Sequence, residues 1–283
     1  MGGAVIAWSL YPFYFRLLAD VPLAEVTAHR VVWSTLVLAW WAPHADGAAH
    51  TLEQLRSPRR LAMLALTGLL LFTTWLAYVY AVISGRVLDA SLGYFLAPLV
   101  AVTSGVLLLG ERMRAWQLVA VALAGVAVGA YMLRLGELPG LALILALTFA
   151  IYGALRKKLG TRPLTGLYVE CLTVLPLALA YLAWLTWEGQ LVFWHRSHLT
   201  DLWLVASGIV TVAPLWCFHL GARQLDYVTV GLMLYIAPTV IFLEAIWLFG
   251  EPMDETRALT FAIIWVALAL YTIEGAWVAR RRT

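Results

Sequence analysis

Two charged side chains lie inside long apolar stretches of this sequence, where an uncompensated charge is costly. Arg30 falls about one turn into one apolar stretch, and Glu170 occupies the equivalent place in another. A buried charge of this kind either pairs with an opposite charge, reaches toward water, or serves a function. The expected partners are Asp89 or Glu25 for Arg30, and Arg223 or Arg156 for Glu170.

Other titratable side chains in apolar stretches are His29, His219 and Glu244. His29 precedes Arg30 and can titrate near neutral pH, whereas His219 is expected to be a hydrogen-bonded packing residue. Glu244 is interpreted either as a proton carrier or as a side chain that reaches the outer membrane interface. His195 and His198 have i, i+3 spacing, but no further ligand accompanies them, so no metal site is predicted.

Aromatic side chains and prolines recur within the same stretches. Tyrosine hydroxyls and tryptophan N–H groups provide polar contacts in an apolar pocket, and a proline inside a helix bends it and frees a carbonyl. The helix bends are predicted at Pro12, Pro98, Pro214 and Pro238. The candidate residues of a substrate cavity are Trp8, Tyr11, Tyr14, Trp75, Tyr78, Tyr94, Tyr152, Trp216, His219 and Tyr235.

The elements that carry these residues follow from composition. Of the 283 residues, 63% are hydrophobic and only 12% are charged, which is about half the charged share of soluble domains. A membrane span needs roughly 20 apolar residues. The sequence therefore predicts an all-α membrane protein with ten spans at about 2–18, 26–42, 61–83, 90–109, 115–133, 138–155, 165–186, 201–222, 228–249 and 258–278.

The basic residues predict the orientation of these spans. With a cytoplasmic N-terminus, thirteen arginines and lysines fall in the cytoplasmic segments, against four outside: Arg86, Arg134, Arg196 and Arg257. Cytoplasmic loops carry this excess in membrane proteins. Both termini are therefore expected in the cytoplasm. The first stretch lacks a basic region and a cleavage site, so it is interpreted as a helix rather than a signal peptide.

The chain overlays itself after a shift of 140 residues, which aligns Gly68 with Gly208, Pro98 with Pro238 and Arg30 with Glu170. The two predicted repeats are residues 1–137 and 138–283, with five helices each. Because five is odd, the second repeat enters the membrane from the opposite face. Inverted repeats of this kind are typical of secondary transporters, with the binding site between the repeats. His29, Arg30, Asp89, Glu170 and Arg223 are then gating or ion-pair candidates, and an anion contact remains an alternative for Arg30.

Several short motifs together resemble the drug/metabolite transporter superfamily, EamA type, and specifically its RarD-like proteins. The resemblance runs along the whole chain. It is carried by Trp8-x-x-x-Pro12-x-Tyr14-Phe15-Arg16, His29-Arg30-Val31-Val32-Trp33-Ser34, Asp89-Ala90-Ser91-Leu92-Gly93-Tyr94-Phe95, Tyr152-Gly153-x-x-Arg156-Lys157-Lys158, Glu170, Thr211-Val212-Ala213-Pro214-Leu215 and Tyr235-Ile236-Ala237-Pro238-Thr239.

The resemblance implies an inner-membrane permease for a small organic metabolite or drug, with a central cavity between the repeats. Ala97 and Leu234 stand where the family often has polar amides, so a less polar cavity is expected. No Walker A, G-x-S-x-G or H-E-x-x-H motif occurs, and no catalytic residue, metal or cofactor is predicted. The expected partners are the solute and the lipid bilayer, without nucleic acid. Gly125-x-x-x-Gly129 suits close packing of two helices, so a homodimer through this face is one alternative. A membrane-embedded enzyme and a non-transporting scaffold remain the alternatives.

Overall fold

A computed structural model describes residues 2–109, 114–135, 138–222 and 235–280, and within these ranges all the regular structure is helical. A π-helical turn at Pro43–Gly47 joins α3 to α4. The helices are α1 (Gly2–Ser9), α2 (Tyr11–Arg16), α3 (Leu23–Ala42), α4 (Ala48–Arg56), α5 (Pro58–Ile83), α6 (Val87–Leu109), α7 (Ala115–Leu135), α8 (Gly140–Leu159), α9 (Pro163–Trp187), α10 (His198–Ala222), α11 (Ile236–Trp247) and α12 (Glu255–Arg280).

Seven of the described helices are long and apolar enough to cross a membrane: α5 to α10 and α12. Apolar side chains on their outer faces are exposed, including Leu133 at 89%, Trp187 at 88% and Leu107 at 77%. In water this surface would be very unfavourable, whereas lipid tails solvate it well. The chain is therefore a multi-pass membrane protein.

The three remaining predicted spans differ from the expectation. The stretch 2–18 is divided at Leu10 into two short helices, because Pro12 stands in the first turn of α2. Helix α3 has 20 residues, but Glu25, His29 and Arg30 lower its mean hydropathy. Of the stretch 228–249, the structure describes α11 and the residues that follow it. The segment predicted as a loop at 43–60 instead contains α4, which sequence analysis missed.

Turn residues fix several helix ends. Pro58 and Pro163 each begin a helix, where the missing N–H of proline has no partner to lose. Helix α8 ends at Gly160, whose left-handed conformation (φ +60°) lets its N–H bond to the carbonyl of Arg156. These local signals place the ends of α5, α8 and α9 close to where the sequence predicted them.

The helices pack in a pattern that interleaves the first and second parts of the chain. Helix α3 packs against α9 and α10, and α5 packs against α8 and α9. Helix α6 packs against α8 and α11, α7 against α12, and α1 against α10 and α11. All of these contacts join one predicted repeat to the other, so both repeats contribute to each of the two buried hydrophobic clusters.

Contacts at the two ends of the bundle show that α3 and α9 run antiparallel. At one end, the Glu25 carboxylate at the start of α3 accepts bonds of 2.9 Å and 3.0 Å from the N–H groups of Val192 and Phe193, which follow α9. At the other end, Asp46, which follows α3, accepts a 2.8 Å bond from the N–H of Thr165 at the start of α9.

Two ion pairs join further segments of the chain. Beside Glu25, an ion pair of 3.0 Å joins Arg196 to Asp20. Arg114, directly before α7, pairs at 2.9 Å with Glu274 near the end of α12. Because α7 and α12 also pack against each other, this start-to-end contact shows that they are antiparallel.

Gly68 and Gly208 each allow close contact between crossing helices. A Cβ at Gly208 in α10 would lie 2.6 Å from the backbone carbonyl of Trp33 in α3. A Cβ at Gly68 in α5 would lie 2.8 Å from the carbonyl oxygen of Glu170 in α9. Because the obstructing atoms are backbone, these crossings accept only glycine without a shift of the helices.

We expect Gly68→Ala and Gly208→Ala each to lower the free energy of unfolding by about 1–3 kcal/mol, as overpacking does in other cores. Gly153→Ala is the matched control, because nothing lies within 4 Å of its added Cβ. That control should be neutral or slightly stabilising. Unfolding in mixed micelles measures all three. Equal stabilities of the three variants would show that the close contacts are not constraints.

Candidate functional site

Arg30 lies at the centre of an aromatic cluster built from five helices. Its guanidinium carbon is 4.3 Å from the ring centre of Trp75, 5.2 Å from that of Phe15 and 5.6 Å from that of Tyr11. Arg30 is only 3% exposed. Ring faces attract a desolvated cation, so these contacts partly compensate its burial. We call this set the arginine cluster: Tyr11, Phe15, Arg30, Trp75, Tyr78, Tyr94 and Thr211.

The tyrosine rings form a chain through the arginine cluster. The ring of Tyr78 lies 6.2 Å from that of Tyr11 and 5.8 Å from that of Tyr94. The Tyr11 hydroxyl donates a 2.9 Å bond to the carbonyl of Val210. This bond joins the first helices to α10, and Arg30 joins α3 to α10 by donating a 2.8 Å bond from Nε to the Thr211 hydroxyl.

Two polar atoms of the arginine cluster have no hydrogen-bond partner among the described residues: Nη1 of Arg30 and the hydroxyl of Tyr78. An unsatisfied buried donor costs about 1–3 kcal/mol, and more when it is charged. The cluster is therefore a polar centre whose hydrogen-bonding capacity is not used within the described part of the chain.

The expected acidic partners of Arg30 are wrong. Asp89 instead pairs at 2.6 Å with Arg86. Glu25 accepts bonds from two backbone N–H groups after α9, and within the described ranges no acid forms an ion pair with Arg30. The physical reason is that both acids lie near the helix ends, where closer donors are available. His29 lies beside Glu25, with Nε2 3.9 Å from its carboxylate.

Glu170 is the centre of a second buried set, which we call the glutamate cluster: Thr67, Tyr152, Arg156 and Glu170. Arg156 Nε lies 3.3 Å from the Glu170 carboxylate, so this expected partner is confirmed. The Thr67 hydroxyl donates a 2.7 Å bond and the Tyr152 hydroxyl a 3.3 Å bond to the same carboxylate. Unlike Arg30, the Glu170 carboxylate is compensated by a cation and two hydroxyls.

A small cavity separates the two clusters. It has a volume of about 10 Å³ and is lined by Trp75 of the arginine cluster and Glu170 of the glutamate cluster, together with Leu71 and Val174. That is about the space of one water molecule. A larger, mostly apolar groove of about 450 Å³ opens at the surface between α6, α11 and α12, and Tyr235 lines it. In this conformation the clusters are closed off from each other by packed side chains.

The other predicted site residues are distributed around the clusters. Tyr14 lies at the edge of the arginine cluster, 5.1 Å from the Phe15 ring, and its hydroxyl donates to the carbonyl of Trp203. Trp216 packs 4.7 Å from Trp41. Trp8 lies in α1 and also has an interaction partner. The side chain of His219, and Arg223, lie outside the described residues.

The predicted bends lie in different settings. Pro12 follows the interruption between α1 and α2, whereas Pro98 and Pro214 lie inside continuous helices. Pro238 stands in the first turn of α11, and its carbonyl accepts a 2.9 Å bond from the Ser91 hydroxyl. Glu244 is only 6% exposed and its Oε2 has no partner among the described residues, so it does not lie at a solvated interface.

Sequence analysis missed several residues that complete the site. Phe15, Thr67 and Thr211 contact the two buried charges, and their spacing alone gave no signal for this. Glu251 was also missed: its carboxylate accepts bonds from the N–H groups of Val87 and Leu88 at the start of α6. Burial raises the pKa of Glu251 above its usual value, and the two amide donors oppose this shift.

The fold and the two clusters define a class: a helical membrane protein with buried, partly unsatisfied polar groups where two interleaved sets of helices meet. The EamA-like transporter family matches residues 1–133. An uncharacterized transporter of Pseudomonas aeruginosa is 45% identical, over 99% of this chain and 93% of its own length. Protein RarD of Escherichia coli is 37% identical, over 98% and 94%. The chain therefore belongs to the EamA-like transporter family, in the RarD-like branch of the drug/metabolite transporter superfamily.

Two further similarities agree with this assignment. A Pseudomonas aeruginosa protein named chloramphenicol-sensitive protein RarD is 31% identical, over 99% of this chain and 94% of its own length. A protein of known crystal structure superposes with a TM-score of 0.60 over 96% of this chain and 95% of its own, at 22% identity. That structural similarity supports the fold alone.

We expect Arg156→Met to destabilise the protein by about 3 kcal/mol or more, because it leaves the Glu170 charge buried without its cation. The double variant Arg156→Met/Glu170→Met should recover most of this loss. Arg60→Met is the control, since Arg60 pairs at 2.7 Å with the exposed Glu53 and such pairs contribute about 0–1 kcal/mol. Unfolding of the purified variants measures these effects. Additive single and double changes would contradict the pairing.

Proposed function

We propose that this protein is a secondary transporter that moves a small organic metabolite or drug across the inner membrane by alternating access. The two inverted repeats would be residues 1–137 and 138–283, with both termini in the cytoplasm. The observation that carries the proposal is a pair of buried charged clusters, separated by a small cavity, where helices of the two predicted repeats pack together. The family and the Pseudomonas aeruginosa relative that are named as transporters support it.

The packing pattern supports the inverted repeat. A shift of 140 residues relates α3 to α9, α5 to α10, and α1 to α8. If the two repeats are equivalent, each contact between helices should have a counterpart. The counterpart of α3 with α10 is α9 with α5, and the counterpart of α5 with α8 is α10 with α1. All four contacts occur. The close contacts of Gly68 and Gly208 are exchanged by the same shift.

The end contacts support ten crossings. On the predicted path, Glu25 and the segment after α9 are both outside, as are Asp20 and Arg196. Asp46 and the start of α9 are both inside, as are Arg114 and Glu274. Each of these pairs is in contact. Loss of any single span after the first would place at least one of these pairs on opposite faces.

These contacts join segments at both ends, and the cavity between the clusters has room for about one water molecule. An occluded transporter and a non-transporting scaffold would both show this closed interior, and solute movement distinguishes them. The relatives' names favour transport over an enzyme. A pH gradient is one candidate driving force, since the buried carboxyl of Glu244 could carry the proton. A homodimer through the unobstructed Gly125-x-x-x-Gly129 face is a further proposal.

Reconstitution into proteoliposomes tests the function. We expect counterflow of at least one solute from a panel of amino acids, organic acids and chloramphenicol, measured with and without an imposed pH gradient. The scaffold interpretation predicts no protein-dependent movement of any solute in the panel, and that result would contradict the proposal.

Reducible cross-links test alternating access. Asp20→Cys with Arg196→Cys lies at the outer end, and Arg114→Cys with Glu274→Cys at the inner end, in a background without Cys171 and Cys217. A bifunctional thiol reagent with a cleavable disulfide spans each pair, because an arginine–carboxylate ion pair holds the two Cβ atoms too far apart for a direct disulfide. We expect the cross-link at either end to stop counterflow and its reduction to restore it, because each end must open in turn. Counterflow that persists with either end cross-linked would contradict alternating access. Each single-cysteine variant is the matched control.

A further inference from the structure

Arg30 differs from Glu170 in one respect that its position alone did not predict. The Glu170 carboxylate has a cation and two hydroxyl donors, whereas the Arg30 guanidinium has no acidic partner within the described part of the chain. The acids that were candidates for it, Asp89 and Glu25, are held by other donors. An arginine in an apolar interior is expensive, and replacing such a charge by an apolar side chain often costs little stability. Since no acid of the described residues pairs with it, a bound anion is one source of the counter-charge.

The arginine cluster orients the guanidinium for such a partner. The Nε bond to Thr211 and the ring of Trp75 hold the group from two sides. Nη1 keeps unused donors, and the Tyr78 hydroxyl in the same cluster has no partner. A guanidinium presents parallel N–H donors that match the two oxygens of a carboxylate, and a tyrosine hydroxyl adds a third donor.

We propose that the arginine cluster binds the carboxylate of an organic anion, and that the transported solute is a small acid with an apolar or aromatic body. The proposal rests on the proposed transport function. Nη1 of Arg30 and the Tyr78 hydroxyl donate to the carboxylate. The rings of Tyr11, Phe15 and Trp75 contact the apolar body of the solute, as aromatic walls do in other small-molecule sites.

The glutamate cluster is not a suitable site for the solute acid. Its carboxylate would repel a second acid, and Arg156 is already engaged with it at 3.3 Å. The solute acid is therefore assigned to Arg30 alone of the two symmetry-related charges. Leu71 and Val174 line the small cavity that separates the clusters, so the solute enters only after these helices separate.

Ligand-dependent melting of the purified protein tests the proposal. The probes are phenylacetate and its neutral analogue phenylacetamide, at constant ionic strength in sodium chloride. We expect phenylacetate at saturation to raise the melting temperature by about 5 °C, because a ligand that binds only the folded state stabilises it. Phenylacetamide should produce no comparable rise. The dependence on concentration gives the apparent dissociation constant.

Variants assign the effect to Arg30. We expect Arg30→Met to fold with unchanged or higher stability and to lose the response to phenylacetate. Arg30→Lys keeps a charge at the same position, and since it loses the planar fork it should raise the apparent dissociation constant about tenfold or more. Arg60→Met, an exposed arginine on α5, should respond as the wild type does.

Equal shifts with phenylacetate and phenylacetamide would overturn the proposal, as would the absence of any shift. A response that survives in both Arg30 variants would also overturn it, by placing the acid elsewhere. These results are distinct from failure of the transport function. If proteoliposomes move a neutral solute, and Arg30→Met leaves that movement unchanged, the protein is a transporter but Arg30 does not select acids.

Discussion

A charged side chain in lipid must be compensated, and this constraint organises the centre of the protein. Arg30 and Glu170 occupy equivalent places in α3 and α9, which pack side by side in opposite directions. Glu170 is compensated inside the chain by Arg156, Thr67 and Tyr152. Arg30 is surrounded by ring faces and one hydroxyl. The two equivalent positions therefore carry opposite charges, and only Glu170 has its charge and hydrogen bonds compensated within the described residues. For this reason only Arg30 is assigned to a ligand.

Close helix contacts make these arrangements possible. The helices that cross α3 and α9 do so through Gly208 and Gly68, and each glycine meets a backbone carbonyl. Each crossing brings a hydroxyl within reach of the neighbouring charge: Thr211 lies three residues after Gly208, and Thr67 directly precedes Gly68. In lipid, where apolar burial contributes little to helix association, close backbone packing and such hydrogen bonds hold helices together. The glycines and the buried charges are thus parts of the same contacts.

The end contacts couple the centre to the surface. Glu25 and Arg30 belong to the same helix, and Glu25 binds the segment that follows α9. Movement of that segment would therefore displace α3 and, with it, Arg30. Asp46 makes the corresponding contact at the other end, with the start of the helix that carries Glu170. In the proposed transport cycle, opening either end would move a helix that carries one of the two buried charges.

Much of this architecture could be predicted from the sequence. Apolar length and turn residues predicted α5 to α10 and α12 closely, and the resemblance named the right family. The shift of 140 residues identified Arg30 and Glu170 as equivalent, and Arg156 was among the expected partners. The acidic partners of Arg30 were wrong because sequence separation says nothing about which donors lie nearer to Asp89 and Glu25. The division at Leu10 lies beside Pro12, where a bend was predicted, and helix α4 was missed because its nine residues are too short and too polar for a membrane span.

The most direct test of the account concerns the opposite orientation of the repeats. His50 and Gln190 are related by the shift of 140 residues and lie in segments that follow α3 and α9. His50→Cys and Gln190→Cys, each in a background without Cys171 and Cys217, are labelled in intact cells by a membrane-impermeant thiol reagent. The account predicts that Gln190→Cys reacts from outside, whereas His50→Cys reacts only after the membrane is permeabilised. Labelling of both positions from the same face would contradict the inverted repeat and the transporter that depends on it.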